Sequence, residues 1–104
     1  GFGHIGQAVA RVALAFGMKV LVYTSKSASQ LPEGCVKMDM AELFAASDIL
    51  TLHCPLTPDT KEIINADSLN SMKDGAILIN TGRGGLVNEQ ALADALKSGK
   101  LAAA

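Results

Sequence analysis

Short apolar runs punctuate this chain, and none of them carries a polar face. Met18 to Tyr23, Ile49 to His53 and Ala76 to Asn80 each have the length of a buried strand. A strand that is apolar on both faces has to be covered on both, which is the habit of parallel sheets flanked by helices. Helical patterns fall between these runs. From His4 to Phe16 the apolar residues stand at Ile5, Val9, Val12, Ala13 and Phe16, and Gly17 is placed to end the helix. The polar stretch TSKSASQLPEG is loop, and Val36 begins a brief edge strand. Asp39 followed by Glu42 is a capping-box pattern that opens a short helix to about Ala46. Thr57 followed by Pro58 reads as the start of a helical stretch, broken near Asn65 and running on to Met72. Asn88 caps a further helix with Leu92 and Leu96, Gly99 closes it, and Leu101 to Ala104 begins a last strand. Strand and helix alternate throughout, so the expected class is α/β: a Rossmann-like doubly wound parallel sheet with right-handed crossovers.

GFGHIG, residues 1 to 6, gives that sheet a purpose. The spacing is G-x-G-x-x-G at the opening of a helix. Gly1 permits a tight turn, Gly3 a close backbone approach to a pyrophosphate, and Gly6 close packing of helix on strand. The free N–H groups near His4 and Ile5, with the helix dipole behind them, suit phosphate. A strand is expected to precede this motif, so residues 1–104 read as a partial dinucleotide-binding domain whose sheet lacks its first strand. The next strand should end in an acid that grips the adenosine ribose. That position falls at Thr24, in YTSK, where no carboxylate stands. Thr24 and Ser25 can hydrogen-bond a ribose, and Lys26 reads either as a solvated loop lysine or as a contact for a 2′-phosphate. NAD is the expected cofactor, with NADP left open.

The remaining candidates lie at the ends of the later strands, where ligands bind in open α/β sheets. His53 stands at one such end, where a catalytic base is one reading and a residue that caps the strand end or packs beside the cofactor is the favoured one. Cys54 offers backbone contacts and Pro55 an apolar one. In ILINTGRGGLV, Arg83 stands between glycines at the mouth of a buried strand. Its planar fork of donors fits a carboxylate. A structural arginine bonded to loop carbonyls fits the pattern equally well.

Composition narrows the class further. The 104 residues are 49% hydrophobic and 18% charged, with a net charge of -1 and acids and bases mixed along the chain. That suits one domain and gives no basic footprint for nucleic acid. No apolar run is long enough to span a membrane. Cys35 and Cys54 have neither metal nor redox spacing, so they read as free thiols in a reducing, cytoplasmic compartment, with no metal site.

GFGHIG, SDILTLHCPLTPDTKEII and MKDGAILINTGRGGLVNEQAL together resemble the D-isomer-specific 2-hydroxyacid dehydrogenase family, its glycerate dehydrogenase and hydroxypyruvate reductase-like members in particular. The resemblance covers essentially the whole chain. It implies a nicotinamide-binding domain inserted in a second, substrate-binding domain that is not in these residues, acting together as a homodimer on 2-oxoacids and D-2-hydroxyacids. It implies that Arg83 binds the substrate carboxylate and carbonyl, that His4 and Ile5 touch the pyrophosphate, and that Cys54, Thr81 and Gly82 line the nicotinamide side. Thr24 departs from the family's acid. The family's catalytic histidine and its glutamate partner are expected after Ala104, and His53 is not that histidine. The 104 residues alone are therefore not expected to turn over substrate. Two other readings fit parts of the pattern: an NAD(H)-sensing regulator of the same fold without turnover, and a different Rossmann ligand such as S-adenosylmethionine, against which INTGRGG argues.

Overall fold

The computed structural model describes residues 1–104. Its elements follow the alternation read from sequence: α1 (His4–Ala15), β1 (Val20–Val22), β2 (Cys35–Lys37), α2 (Met40–Ala46), β3 (Ile49–Leu52), α3 (Ala66–Ser71), β4 (Ala76–Asn80), α4 (Glu89–Lys97) and β5 (Leu101–Ala103). Every strand pair is parallel. The strands form two groups, β1–β2 and β3–β4–β5, rather than one continuous sheet. Gly1 lies between the groups at their carboxyl ends: its nitrogen donates to the Tyr23 carbonyl at 3.2 Å on one side, and it abuts the His53 backbone on the other.

The larger group holds most of the core. Leu50 and Leu52 of β3 and Ala76 and Leu78 of β4 share a face, since alternate strand residues point the same way. They pack with Leu43 and Phe44 of α2, Leu69 of α3 and Ala95 of α4. The opposite face is not covered in the way the apolar strands predict: Ile49 is 45% and Ile79 42% exposed. All helices that pack on this group, α2 to α4, contribute to the one covered face. The smaller group closes over only Phe2, Ala10 and Val22, with Val20, Leu31 and Cys35 around them.

Helix ends obey their sequence signals with one exception. Gly17, just past α1, takes the left-handed φ of +81° that a C-terminal glycine cap requires. Asp39 accepts from the Glu42 N–H and Asn88 from the Ala91 N–H. The helix expected from Thr57 does not form. Its cap is made, since Thr60 accepts the Thr57 N–H at 2.8 Å and Thr57 the Thr60 N–H at 3.3 Å, and the Lys61 N–H reaches the Thr57 carbonyl at 2.9 Å, but only this one turn follows. A left-handed Glu62 (φ 50°) then ends the turn. Ile64, fully buried, instead bridges Val87 in parallel fashion. Helix starts at Ala66, where Asn65 and Ser68 each accept the other's backbone N–H. β1 is also shorter than Met18 to Tyr23, because only Val20–Val22 find partners on β2.

Candidate functional site

The carboxyl ends of β1 and β3 converge on the glycine loop. A Cβ placed on Gly1 would stand 2.5 Å from the His53 carbonyl oxygen and 2.9 Å from the Cys54 nitrogen, both backbone atoms that cannot step aside. A Cβ on Gly6 would meet the Gly1 carbonyl oxygen at 2.8 Å. Two of the three motif glycines are therefore demanded by the fold itself. Gly3 is different. Its Cβ would meet nothing within 4 Å, and its φ of -80° is open to any residue. A glycine the fold does not need, at the N-cap of a long helix, leaves an open cradle for a group approaching the backbone.

That helix start is also uncapped. Gly3 brings no side chain, and the first intrahelical bond is Gln7 N–H to Gly3 C=O at 2.9 Å. The N–H groups of His4 and Ile5 point past the helix end with no partner in the chain. Gln7 Nε2 donates to the Phe2 carbonyl at 3.1 Å and braces the loop from below. His4 and Ile5 are exposed, as a phosphate-binding turn needs. These features fit the pyrophosphate of a dinucleotide.

Beside the loop, Thr24 Oγ1 accepts the Lys26 N–H at 3.2 Å, which tightens the turn after β1. Ser25 is exposed next to it. The Lys26 ammonium lies 5.8 Å from the centroid of the Phe2 ring, so this side chain folds back over the glycine loop. On the other flank, His53 Nε2 shares a hydrogen bond of 2.9 Å with Thr51 Oγ1. Burial holds the His53 imidazole below its ordinary pKa. A neutral ring tied to Thr51 is a strand-end fixture, as its sequence position implies. Cys54 is half-buried with its backbone against Gly1, and the Pro55 carbonyl is taken by Thr60. Cys35 sits on β2 away from the loop, and burial pushes its thiol up, toward the inert form.

Arg83 follows β4. Asn80, the last residue of that strand, bonds the loop twice: its Nδ2 donates to the Arg83 carbonyl at 2.9 Å, and its Oδ1 accepts the Gly82 N–H at 3.0 Å. Glu62 N–H to Gly85 C=O and Ile64 N–H to Leu86 C=O support the loop from the other side. Leu56, from the segment after Cys54, packs on Gly85, where a Cβ would come within 2.9 Å of it. The backbone around Arg83 is thus held, while the guanidinium is exposed and makes neither a hydrogen bond nor an ion pair within the chain. That removes the reading of a structural arginine bonded to loop carbonyls. Thr81 and Gly82 are exposed beside it.

The structure therefore brings Gly1, Gly3, His4, Ile5, Gly6, Thr24, Ser25, Lys26 and Cys54 to one end of the molecule. Arg83 joins them through the pairing of Leu52 with Asn80 and the packing of Leu56 on Gly85, without a direct bond to the glycine loop. A surface depression of about 450 Å³ between the starts of α3 and α4 contains none of these residues. Sequence reading passed over Asn80 as a brace, although a polar residue ending an apolar strand before glycines signals such a turn. It also passed over Thr51, two residues from His53 on the same strand face.

A parallel α/β sheet with an open glycine cradle at its carboxyl end defines a dinucleotide-binding domain. Comparison with known proteins makes the class specific. A family model described as "D-isomer specific 2-hydroxyacid dehydrogenase, NAD binding domain" matches residues 1–104, and the chain belongs to that family. It is 49% identical over 105 residues to a hydroxypyruvate reductase of Blautia hydrogenotrophica, covering 100% of this chain and 33% of that protein. A solved D-lactate dehydrogenase of Aquifex aeolicus, complexed with NAD and lactic acid, superimposes with a TM-score of 0.92 at 45% identity, over 97% of this chain and 31% of that one. An acyclic imino acid reductase in complex with NADPH and D-arginine gives 0.87 at 44% identity, over 97% and 32%. The chain spans about a third of the length of the relatives it matches.

Proposed function

We propose that these residues are the cofactor-binding core of an NAD(P)-dependent D-2-hydroxyacid dehydrogenase acting on a small 2-oxoacid and its D-2-hydroxyacid partner. The observation that carries this reading is Arg83: a guanidinium without a partner in the chain, on a loop fixed by Asn80 at the crevice end of β4. A fixed backbone with a free planar fork is what two-point capture of a carboxylate requires. The same cation beside the adjacent carbonyl favours charge developing on its oxygen, and holding the two reactants in register supplies much of the rest.

Gly1, Gly3 and Gly6 with the His4 and Ile5 N–H groups hold the pyrophosphate in this reading. Thr24, Ser25 and Lys26 meet the adenosine ribose, and Cys54, Pro55, Thr81 and Gly82 line the nicotinamide side. A bound reduced nicotinamide supplies the hydride. His53, neutral and tied to Thr51, is not the acid that protonates the carbonyl oxygen. That proton comes from a general acid outside residues 1–104 of the whole polypeptide. Relatives named hydroxypyruvate reductase, glycerate dehydrogenase and D-lactate dehydrogenase place hydroxypyruvate, glycerate and D-lactate first among substrates to try. Relatives solved with NAD and with NADPH put both cofactors within reach of the fold.

A cytoplasmic homodimer completes the proposal. The apolar row Ile5, Val9, Val12 and Phe16 on α1, with Phe16 78% exposed, supports a face that is covered in the assembled protein. No helix of the chain is long and apolar enough to cross a membrane. The deciding experiment mixes the native polypeptide with hydroxypyruvate and either reduced nicotinamide and follows the loss of absorbance. Turnover that disappears in Arg83→Gln is the expected result. Binding of both cofactors without turnover of any 2-oxoacid would overturn it.

A further inference from the structure

Resting on the dehydrogenase reading above, we propose that Glu62 is a positioning residue: its left-handed backbone sets the Arg83 loop in register with the wall on which the nicotinamide lies. Glu62 is the one residue other than glycine with a positive φ, at 50°. That conformation is costly for a residue with a Cβ. The carboxylate offers nothing against the cost, since it is exposed and enters neither a hydrogen bond nor an ion pair. What the conformation secures is carried by the peptide groups on either side of it.

The Glu62 N–H donates to the Gly85 carbonyl at 2.8 Å, on the loop of Arg83. The Glu62 carbonyl accepts from Asn65 Nδ2 at 3.0 Å, which holds the reversal from behind. Past the reversal, the Ile64 N–H reaches the Leu86 carbonyl at 3.1 Å, and the Asn88 N–H returns to the Ile64 carbonyl at 2.8 Å. The other end of the same segment is tied to the proposed nicotinamide wall. Thr60 Oγ1 donates to the Pro55 carbonyl at 2.6 Å, and Leu56 lies against Gly85. Residues 55–64 are therefore a strap from Pro55 to the Arg83 loop. Asn80 ties that loop to β4, whereas the strap ties it to the wall. Hydride transfer needs the second tie. Arg83 places the 2-oxoacid and the wall places the nicotinamide, so the separation of the reacting carbons depends on both. A misplacement of about 1 Å there costs about a hundredfold in rate. A right-handed Glu62 would carry its N–H away from Gly85 and free the loop from the wall, yet leave it on its Asn80 brace. Carboxylate capture would survive, and the transfer would slow.

The test is steady-state kinetics of the native polypeptide with hydroxypyruvate and a reduced nicotinamide whose transferring position carries hydrogen or deuterium. Glu62→Val, with a branched side chain that resists a positive φ, should lower kcat by about tenfold or more. It should leave KM for hydroxypyruvate within about threefold of the parent and raise the deuterium isotope effect on kcat. Glu62→Asn, which tolerates the left-handed region, should recover most of the rate. Leu56→Ala loosens the strap from Gly85 without touching the turn, through a side chain that is 44% exposed, so the fold does not hinge on it. It should lower kcat by about threefold with the same rise in isotope effect, whether or not Glu62→Val folds. An unchanged kcat, a rise in KM alone, or an asparagine variant as slow as the valine one would overturn the proposal and leave the turn as a seat for Ile64 only. A parent protein that turns over no 2-oxoacid would instead remove the dehydrogenase reading on which the proposal rests.

Discussion

The two halves of this molecule are built to different depths. The β3–β4–β5 half, with α2 to α4, encloses a cluster of 13 buried residues, among them Ile64, Leu69, Leu86 and Leu101 with almost no exposure. The α1–β1–β2 half encloses 3. The chemistry divides along the same line. The deep half carries Arg83, whose task in the proposed reaction needs a fixed position. The shallow half carries the glycine loop, Thr24 and Lys26, whose task in the same proposal is to receive a long, flexible dinucleotide. A site that must hold a carboxylate to within a fraction of an ångström is best hung on a rigid core, and a nucleotide can itself supply much of the order in a thinner one.

The largest expected effect tests whether function divides this way. Arg83→Gln in the native polypeptide should lower kcat/KM for a 2-oxoacid by about a thousandfold while dinucleotide affinity falls far less. Arg83→Lys keeps the charge and loses the planar fork, so it should recover only part of the activity. Steady-state kinetics with parallel cofactor titration decides it. Equal loss of cofactor binding would mean that the two halves share one site rather than dividing its work.

Core substitutions measure the depth directly. Ile64→Ala removes a side chain with no exposure and with the bridge to Val87 at its back, and should cost about 4 kcal/mol. Val22→Ala in the shallow half should cost about 2 kcal/mol, because few neighbours surround the space it leaves. Urea unfolding of the two variants gives the comparison, and equal costs would abolish it.

The deep half was also the more legible in sequence. β4 runs from Ala76 to Asn80 as its pattern predicts, because an apolar run between a glycine turn and Asn80 has one natural register. Asp39 and Asn88 announce α2 and α4 through bonds made within one turn, which sequence can display. Thr57 and Pro58 offered the same kind of announcement and misled. The cap is made with Thr60, but Glu62 turns left-handed and Ile64 is buried against Val87 instead of continuing a helix, a tertiary preference that no local pattern carries. Arg83 was visible as an odd cation among glycines. That its guanidinium is free is visible only once the loop's own bonds are seen to go through Asn80.

The seam between the halves gives the next effect. Gly1→Ala would drive a Cβ to 2.5 Å from the His53 carbonyl oxygen, and should cost about 2 kcal/mol as the halves are wedged apart. Gly3→Ala meets nothing in the chain and should leave the thermal midpoint in place, yet weaken dinucleotide binding by crowding the pyrophosphate. Melting curves and cofactor titration of the two variants separate a glycine kept for the fold from one kept for the ligand. A Gly3→Ala variant that binds as well as the parent would take the pyrophosphate away from this cradle.

The smallest effect comes from His53, on the deep half's side of the seam. Burial holds its imidazole below the ordinary value of 6.5. The folded chain therefore takes up a proton there less readily than the unfolded chain does. The unfolded state binds more protons in that window, so stability rises with pH through it. The contribution is fully present above 6.5 and is lost as pH falls through the folded-state pKa. Urea midpoints of the native polypeptide should fall between about pH 7.5 and about pH 5, and His53→Gln, which can still bond Thr51, should flatten that slope. An unchanged slope in the variant would mean that the ring is hydrated in solution. The seam would then be open to water where Gly1 and the His53 backbone are in contact, and the two halves would be joined less closely than their shared glycine loop implies.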